Sequence, residues 1–387
     1  MPIYLDNHAT TPVDPRVADA VANCLANNFG NPSSADHILG DRAANSVERA
    51  EQAVSELTNT PDHRLIFTSG ATESINIALR GHIRWRRRQA PARKPRIGLT
   101  TVEHAAVAAT CEALGSEGLA DVVSFQVDSR GRPHLAQIAD ELAKGLDLVC
   151  VMAANNVVGT VNPIQDIAQL AHEHGSLLFC DATQAIGRVP FDAAYWQVDA
   201  FAFSGHKIYG PKGIGVLAAS TEFPIDPITF GGHQQHGVRP GTHNVPGIVG
   251  LGSACGYRYK EATVDGERVA ALRNRLQADL QKEIPELVVF GDQTKRLPGN
   301  LSFAVPGIPN QAIVARVRHR LCLSTGSACS SGIEQPSPVL RAMGISQRLA
   351  DSHIRIGIGK FNTEADISEA ASLLTKAVSG IRPLVRS

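Results

Sequence analysis

The chain has 387 residues, 43% hydrophobic and 19% charged, and its 37 Lys and Arg balance 37 Asp and Glu for a formal net charge of +0. That length can bury a substantial core in two domains, and the neutral balance argues against global steering toward nucleic acid or a membrane surface. No run of ~20 apolar residues occurs, so no membrane span is expected; seven cysteines without a Cys-x-x-Cys pair argue against structural zinc and for a reducing, cytoplasmic setting.

Taken in chain order, Met1-Pro-Ile-Tyr-Leu-Asp6 has no basic region or long apolar core, and no secretion signal is expected. Leu65-Ile-Phe67 runs into Thr68, Ser69, Gly70, Ala71 and Thr72, ahead of a helical stretch over 73–88. Ile97-Gly-Leu99 runs into Glu103 and His104, and a second helical stretch covers 135–144. The run 148–152 leads into Asn155 and Asn156, and a third helical stretch covers 164–174. Leu177-Leu-Phe-Cys180 ends at Asp181 and Gln184, and Asp199-Ala-Phe-Ala-Phe-Ser-Gly-His-Lys207 ends on a lysine. A long amphipathic stretch over 267–284 bridges toward the carboxyl-terminal part. Short apolar runs bounded by polar residues predict buried parallel strands with helices on both faces, an α/β fold. Right-handed crossovers then bring all the strand ends to one edge. There are neither internal repeats nor low-complexity tracts.

Five segments thus deliver polar groups to one edge, where open α/β sheets place their ligands. Lys207 behind an apolar strand can hold an aldehyde cofactor as a Schiff base, and desolvation there lowers its pKa. Each neighbouring group has a task if that cofactor is pyridoxal phosphate. Thr72 and the amides of Gly70 and Ala71 precede a helix, where free N–H groups and the dipole suit a phosphate. Ser204 and His206 can donate to the same phosphate. Asp181 would pair with the pyridinium nitrogen and keep the ring an electron sink. Asn156 and Gln184 can donate to its phenolate oxygen, and His104 can lie over the ring and move protons. Taken singly these are ordinary caps and turn residues; taken together they point to one site. His233, His236 and His243 lack a zinc spacing, so no metal is expected.

Cys329 lies in Thr325-Gly-Ser-Ala-Cys-Ser-Ser-Gly332, a composition that predicts a mobile loop and an exposed thiol. The other cysteines, Cys24, Cys111, Cys150, Cys180, Cys255 and Cys322, sit mostly in apolar or helical patterns and are read as core or incidental.

These motifs, with Tyr4-Leu-Asp-Asn-His-Ala-Thr-Thr11, Phe29-Gly-Asn-Pro-Ser-Ser34, Gly231-Gly-His-Gln234, Arg239-Pro-Gly-Thr-His-Asn244 and Ile354-Arg-Ile-Gly357, run nearly end to end. The chain resembles the class I cysteine desulfurases of the fold-type-I, aminotransferase class V family. The resemblance implies a mostly parallel sheet flanked by helices in a large cofactor domain at 14–253, and a smaller α+β domain from 1–13 and 254–387 that carries the cysteine loop. It implies that L-cysteine replaces Lys207 on the cofactor, and that Lys207 moves the α-proton with His104 assisting. Arg355 then clamps the substrate carboxylate beside Asn156, and Cys329 takes the sulfur as a persulfide while alanine leaves. Thr242 resembles the residue that reaches the phosphate in the neighbouring subunit, so a homodimer is implied.

Three departures from the family pattern stand out, the first bearing on local hydrogen bonding and substrate access and the last on the sulfur acceptor. Asn155-Asn-Val-Val-Gly159 has apolar Val157 and Val158 where many members carry Glu-Thr, and His8 replaces the usual asparagine. The chain stops soon after Leu384, short of the tail by which housekeeping members are thought to hold an iron–sulfur scaffold. The expected acceptor protein therefore serves either iron–sulfur assembly or sulfur modification of tRNA or DNA, such as phosphorothioation. The basic run Arg84-Trp-Arg-Arg-Arg88 with Arg93-Lys-Pro-Arg96 is read as a cationic helix end and a solvated loop; with the neutral balance this argues against direct nucleic-acid binding. A selenocysteine lyase, another pyridoxal-dependent aminotransferase or epimerase, and a non-enzymatic partner are the competing readings. Cys329 argues against a plain aminotransferase, and the joint presence of Lys207, Asp181 and His104 argues against a scaffold.

Overall fold

The computed structural model describes residues 2–326 and 337–385. Its main sheet has seven strands in the order Arg64–Thr68, Gly215–Ala219, Ala200–Ser204, Leu177–Asp181, Leu148–Cys150, Arg96–Thr100, Asp121–Phe125. The last five strands in that order pair in parallel. Successive side chains of a strand go to opposite faces, and here both faces are buried: Phe201 and Phe203 join one apolar cluster, Ala200 and Ala202 the other. That double burial is why the runs are continuously apolar rather than alternating. The helices Ala71–Gln89 and Ala105–Ser116 cover one face, and Pro15–Asn27, Ile38–Thr58 and Ile164–Glu173 cover the other.

The expectation that 65–67 is a parallel strand needs correction. Arg64–Thr68 is an edge strand, and its neighbour in the sheet, Gly215–Ala219, runs antiparallel to it and to Ala200–Ser204. Two reversals cancel, so Thr68 and Ser204 both face Gly215 across the ladder and end at the same edge. The sequence reading passed over Gly215–Ala219 and the outer strand Asp121–Phe125, whose half-exposed pattern lacks a continuous apolar run.

A second sheet pairs Asn300–Ala304 antiparallel with His353–Gly357 and Val288–Val289. Its core gathers Leu301, Phe303, Ile354 and Ile356 under helices that include Glu364–Val385. The amphipathic stretch expected at 267–284 is the later part of a longer helix, Val245–Glu283. This helix gives Leu251, Ala254 and Cys255 to the first core and Val269, Leu272, Leu276 and Leu280 to the second. Ile3–Tyr4 pairs in parallel with Leu321–Cys322 and Asp6 bridges Gly357, while Thr11 N donates to His206 O and so lays the amino-terminal strip beside the end of Ala200–Ser204.

Candidate active site

The strand ends open into a cavity of about 500 Å³, within the ~300–1,000 Å³ typical of ligand pockets. Gly70 caps the helix Ala71–Gln89 without any side-chain cap bond, so first-turn amides remain free. Its φ of 154° is one that L side chains rarely adopt, and a Cβ there would lie 3.5 Å from Ser204 Oγ. Ala71, Thr72, Ser204 and His206 line the cavity beside it. His206 Nδ1 lies 3.1 Å from Thr10 Oγ1. Burial, with Lys207 and Lys212 nearby, lowers its pKa to about 4, so the ring is neutral there. The carboxylate of Glu73 accepts from the Ser69 amide and, at 2.9 Å, from Arg239 Nε, tying the 231–244 loop to this cradle.

Lys207 ends the turn that follows Ala200–Ser204, and its Nζ donates to the carbonyls of His8 and Ala9, both at 2.7 Å. Burial first, then Arg188 and Arg355, lower its pKa to about 7 against the opposing pull of Asp181 and Asp6. A neutral amine is therefore well populated near pH 7. Asp181 closes the strand Leu177–Asp181 and accepts from the Thr183 amide at 3.0 Å. His104 caps the helix Ala105–Ser116: its Nδ1 accepts from Ala106 N at 3.1 Å, so a neutral ring carries its proton on Nε2. The capping bond leaves the same ring in the cavity lining.

Asn156 lines the cavity, whereas the buried Asn155 shapes the turn, accepting from the amides of Val157 and Val158 and donating to Val102 O. Val157 and Val158 pack in an apolar cluster with Val339, Leu340 and Met343. The two departures from the family pattern thus serve packing of the segment that resumes at Ser337.

Three expected residues stand apart. Arg355 does not line the cavity; its Nη1 donates to Asn156 O at 3.1 Å and its Nη2 to Asp6 Oδ1 at 2.7 Å. Thr242 is exposed and also outside the cavity. Cys329 lies outside the described residues. The chain leading to it is fixed to Arg355, since Ser324 exchanges backbone bonds with that residue and Thr325 O lies 2.8 Å from His353 Nδ1. Cys24, Cys111, Cys150, Cys180 and Cys255 are buried.

The sequence reading missed Arg188, Asp6 and the role of Glu103. Glu103 Oε1 accepts from Thr100 Oγ1 and Met152 N, Oε2 has no partner, and burial raises the pKa to about 8. Glu103 stood in a quoted motif; only burial reveals a carboxyl protonated at neutral pH. The basic run is largely neutralised at home: Arg86 and Arg93 pair with Asp147, Arg88 with Asp226, Lys94 with Asp121 and Arg96 with Glu141.

The donor set fits pyridoxal phosphate: a glycine-opened anion cradle, a lysine amine of lowered pKa, a carboxylate and two side-chain amides share one cavity. Fold and site together define a pyridoxal-phosphate enzyme of the α/β, fold-type-I kind. The comparisons agree. The aminotransferase class-V family pattern matches residues 3–369, and the chain belongs to that pyridoxal-phosphate-dependent family. A relative named cysteine desulfurase IscS, from Anaeromyxobacter sp. (strain K), is 39% identical over 99% of this chain and 94% of its own. A solved structure called a NifS-like protein superposes with a TM-score of 0.88 at 34% identity, over 98% of this chain and 100% of the other. DndA from Streptomyces lividans superposes with a TM-score of 0.77 at 36% identity, over 90% and 97%. No described helix is long and apolar enough to cross a membrane.

Proposed function

We propose that the chain is a cysteine desulfurase, which takes sulfur from L-cysteine, releases L-alanine and holds the sulfur on Cys329 for an acceptor protein. The observation that carries this reading is Lys207: its amine, with a pKa lowered to about 7, shares a cavity with Asp181 and the anion cradle. The full-length likeness to a protein named cysteine desulfurase supports it.

The amides of Ala71 and Thr72, with Ser204 and His206, would hold the cofactor phosphate, joined by Thr242 of a second copy in a homodimer. Asp181 would face the ring nitrogen, and Gln184 and Asn156 the phenolate oxygen. Bound there, pyridoxal phosphate supplies an electron sink for the pair left when an amino acid loses its α-proton. Arg355 holds the substrate carboxylate through paired hydrogen bonds, with Asn156 beside it. The Lys207 amine accepts the α-proton and returns it, and His104 moves protons at the same centre. The Cys329 thiolate attacks the substrate sulfur. The S–S bond forms, the Cβ–S bond breaks with its electron pair left on carbon, and a proton completes alanine. The large part at 14–253 would carry the cofactor, and 1–13 with 254–387 the substrate arginine and Cys329.

Alanine and sulfide release from L-cysteine under reductant tests this, with Cys329→Ser beside the parent. Equimolar products from the parent and none from the variant, with cofactor bound in both, is the expected result. Turnover by Cys329→Ser at the parent's rate removes the persulfide assignment, and release from selenocysteine alone would replace the substrate.

A further inference from the structure

Arg188 lies outside the cavity lining yet touches three parts of the site. Its Nη1 donates to Gln184 Oε1 and His8 Nδ1, both at 2.7 Å. Its Nη2 donates to the Asn7 carbonyl at 2.7 Å and the Lys207 carbonyl at 2.9 Å. A guanidinium has donors only. His8 Nδ1 must therefore accept, and the neutral ring carries its proton on Nε2; burial first, then Arg188, hold this histidine's pKa well below 6.5.

The same argument orients the buried amide of Gln184. Its oxygen faces Arg188, and its nitrogen donates to His8 O at 2.9 Å. Gln184 Oε1 and His8 Nδ1 lie 3.2 Å apart and share the Arg188 donor; reversed, the amide would gain an N–H to Nδ1 but would set NH₂ against the guanidinium and its carbonyl oxygen against the His8 carbonyl, two repulsive contacts for one gained. One hydrogen of the NH₂ goes to His8 O. The other is left for the cavity, which Gln184 lines.

We propose that Arg188 is a positioning residue that turns the N–H end of Gln184 toward the cofactor's phenolate oxygen and, by its own charge, favours the unprotonated nitrogen of Lys207. The proposal rests on the pyridoxal-phosphate reading above. Lys207 is surrounded by the carbonyls of His8 and Ala9, the cations Arg188 and Arg355, the carboxylates Asp181 and Asp6, and the cavity-wall neighbours His206 and Lys212. Without Arg188, Arg355 and Lys212 are left against two carboxylates, and the protonated nitrogen gains. Losing the Gln184 donor acts in the same direction, because a phenolate stripped of its external donor holds the lysine nitrogen's proton more tightly.

The test is a pH titration of the absorbance of bound pyridoxal phosphate, without substrate, in the parent and in Arg188→Gln, Arg188→Lys and Gln184→Glu. Arg188→Gln is expected to raise the midpoint by about one pH unit or more. Arg188→Lys keeps the charge and loses the fork, so its midpoint falls between those of the parent and Arg188→Gln. Gln184→Glu replaces the cavity-facing N–H with an oxygen and also raises the midpoint; if Arg188→Gln does not fold, Arg188→Lys decides the matter, and a Lys variant that titrates with the parent overturns the inference. A folded Arg188→Gln that titrates with the parent overturns the inference. A Lys variant shifted as far as the Gln variant overturns the charge effect. A parent that binds no cofactor overturns the proposed function and this inference with it, whereas a bound cofactor with unmoved midpoints overturns this inference alone.

Discussion

The two walls of the cavity are built differently. The strand-end wall is local: Gly70, Asp181, Ser204 and Lys207 each lie within a few residues of the strand that delivers them. The opposite wall, formed by Ala9 and Thr10 of the amino-terminal strip with Arg188 and Arg355 behind it, is assembled at long range, with hydrogen-bond partners 180 and 349 residues apart in Arg188–His8 and Arg355–Asp6. The first wall supplies the groups that would meet the cofactor. The second supplies fixed charges and carbonyls that set how those groups behave, and a substitution on either wall should reveal that difference.

The largest effect is expected on the strand-end wall. Lys207→Ala should lower kcat by about 10²–10⁴-fold, the usual worth of a positioned acid–base group, measured as single-turnover alanine formation. In the parent the base must be neutral to act, and its pKa is about 7. Activity therefore falls as pH drops below about 7, and a flat kcat/KM profile down to pH ~5.5 would rule out the amine as base.

Arg355 and Asp6 should respond as binding groups. Arg355→Lys keeps charge but loses the planar fork, so KM for cysteine should rise ~10–100-fold with a smaller change in kcat. Asp6→Asn leaves the guanidinium in place with a weaker partner, and its KM shift should be smaller. Equal losses in kcat and kcat/KM for Arg355→Lys would instead place that contact in the transition state.

The smallest catalytic effect, and a stability effect instead, is expected behind the second wall. Lys360 donates to the buried Asp14 and lies 4.8 Å from the Tyr209 ring centre. Lys360→Met should cost about 1–3 kcal/mol in urea unfolding at pH 7. The Arg16 hydrogen bond first, with Lys360, holds the Asp14 pKa below its ordinary value. Its stabilisation is thus present above the unfolded carboxylate pKa of ~3.9 and lost as pH falls through the lower folded value. The penalty of Lys360→Met should shrink toward acid pH, and a pH-independent penalty would assign it to packing.

The difference between the walls also explains what could be read in the sequence. Lys207, Asp181, Thr72 and His104 were legible because a strand or helix boundary beside each residue announces where its side chain goes. Arg188 has no such signal: it follows a turn in Ala185-Ile-Gly-Arg188, and only folding brings the 7–8 strip against it. Asp6 likewise read as part of a motif without a partner. The edge strand Arg64–Thr68 is legible as a strand but not in its direction, because apolar continuity reports burial on both faces and says nothing about which way a neighbour runs. Val157 and Val158 were noticed as departures, and only the cluster with Val339, Leu340 and Met343 gives them a purpose.

The helix Val245–Glu283 spans 39 residues, about 58 Å at ~1.5 Å per residue, and contributes side chains to both cores. Mechanically it is a continuous strut. Each core holds its own part of one hydrogen-bonded rod, so unravelling one part removes the helical turns on which the next part builds, and the helix links the two cores in unfolding. The same continuity bears on motion at the cavity: a swing of the sheet carrying Arg355 relative to the strand-end wall must tilt or bend this helix, with the extended amino-terminal strip as the second covalent link between the two.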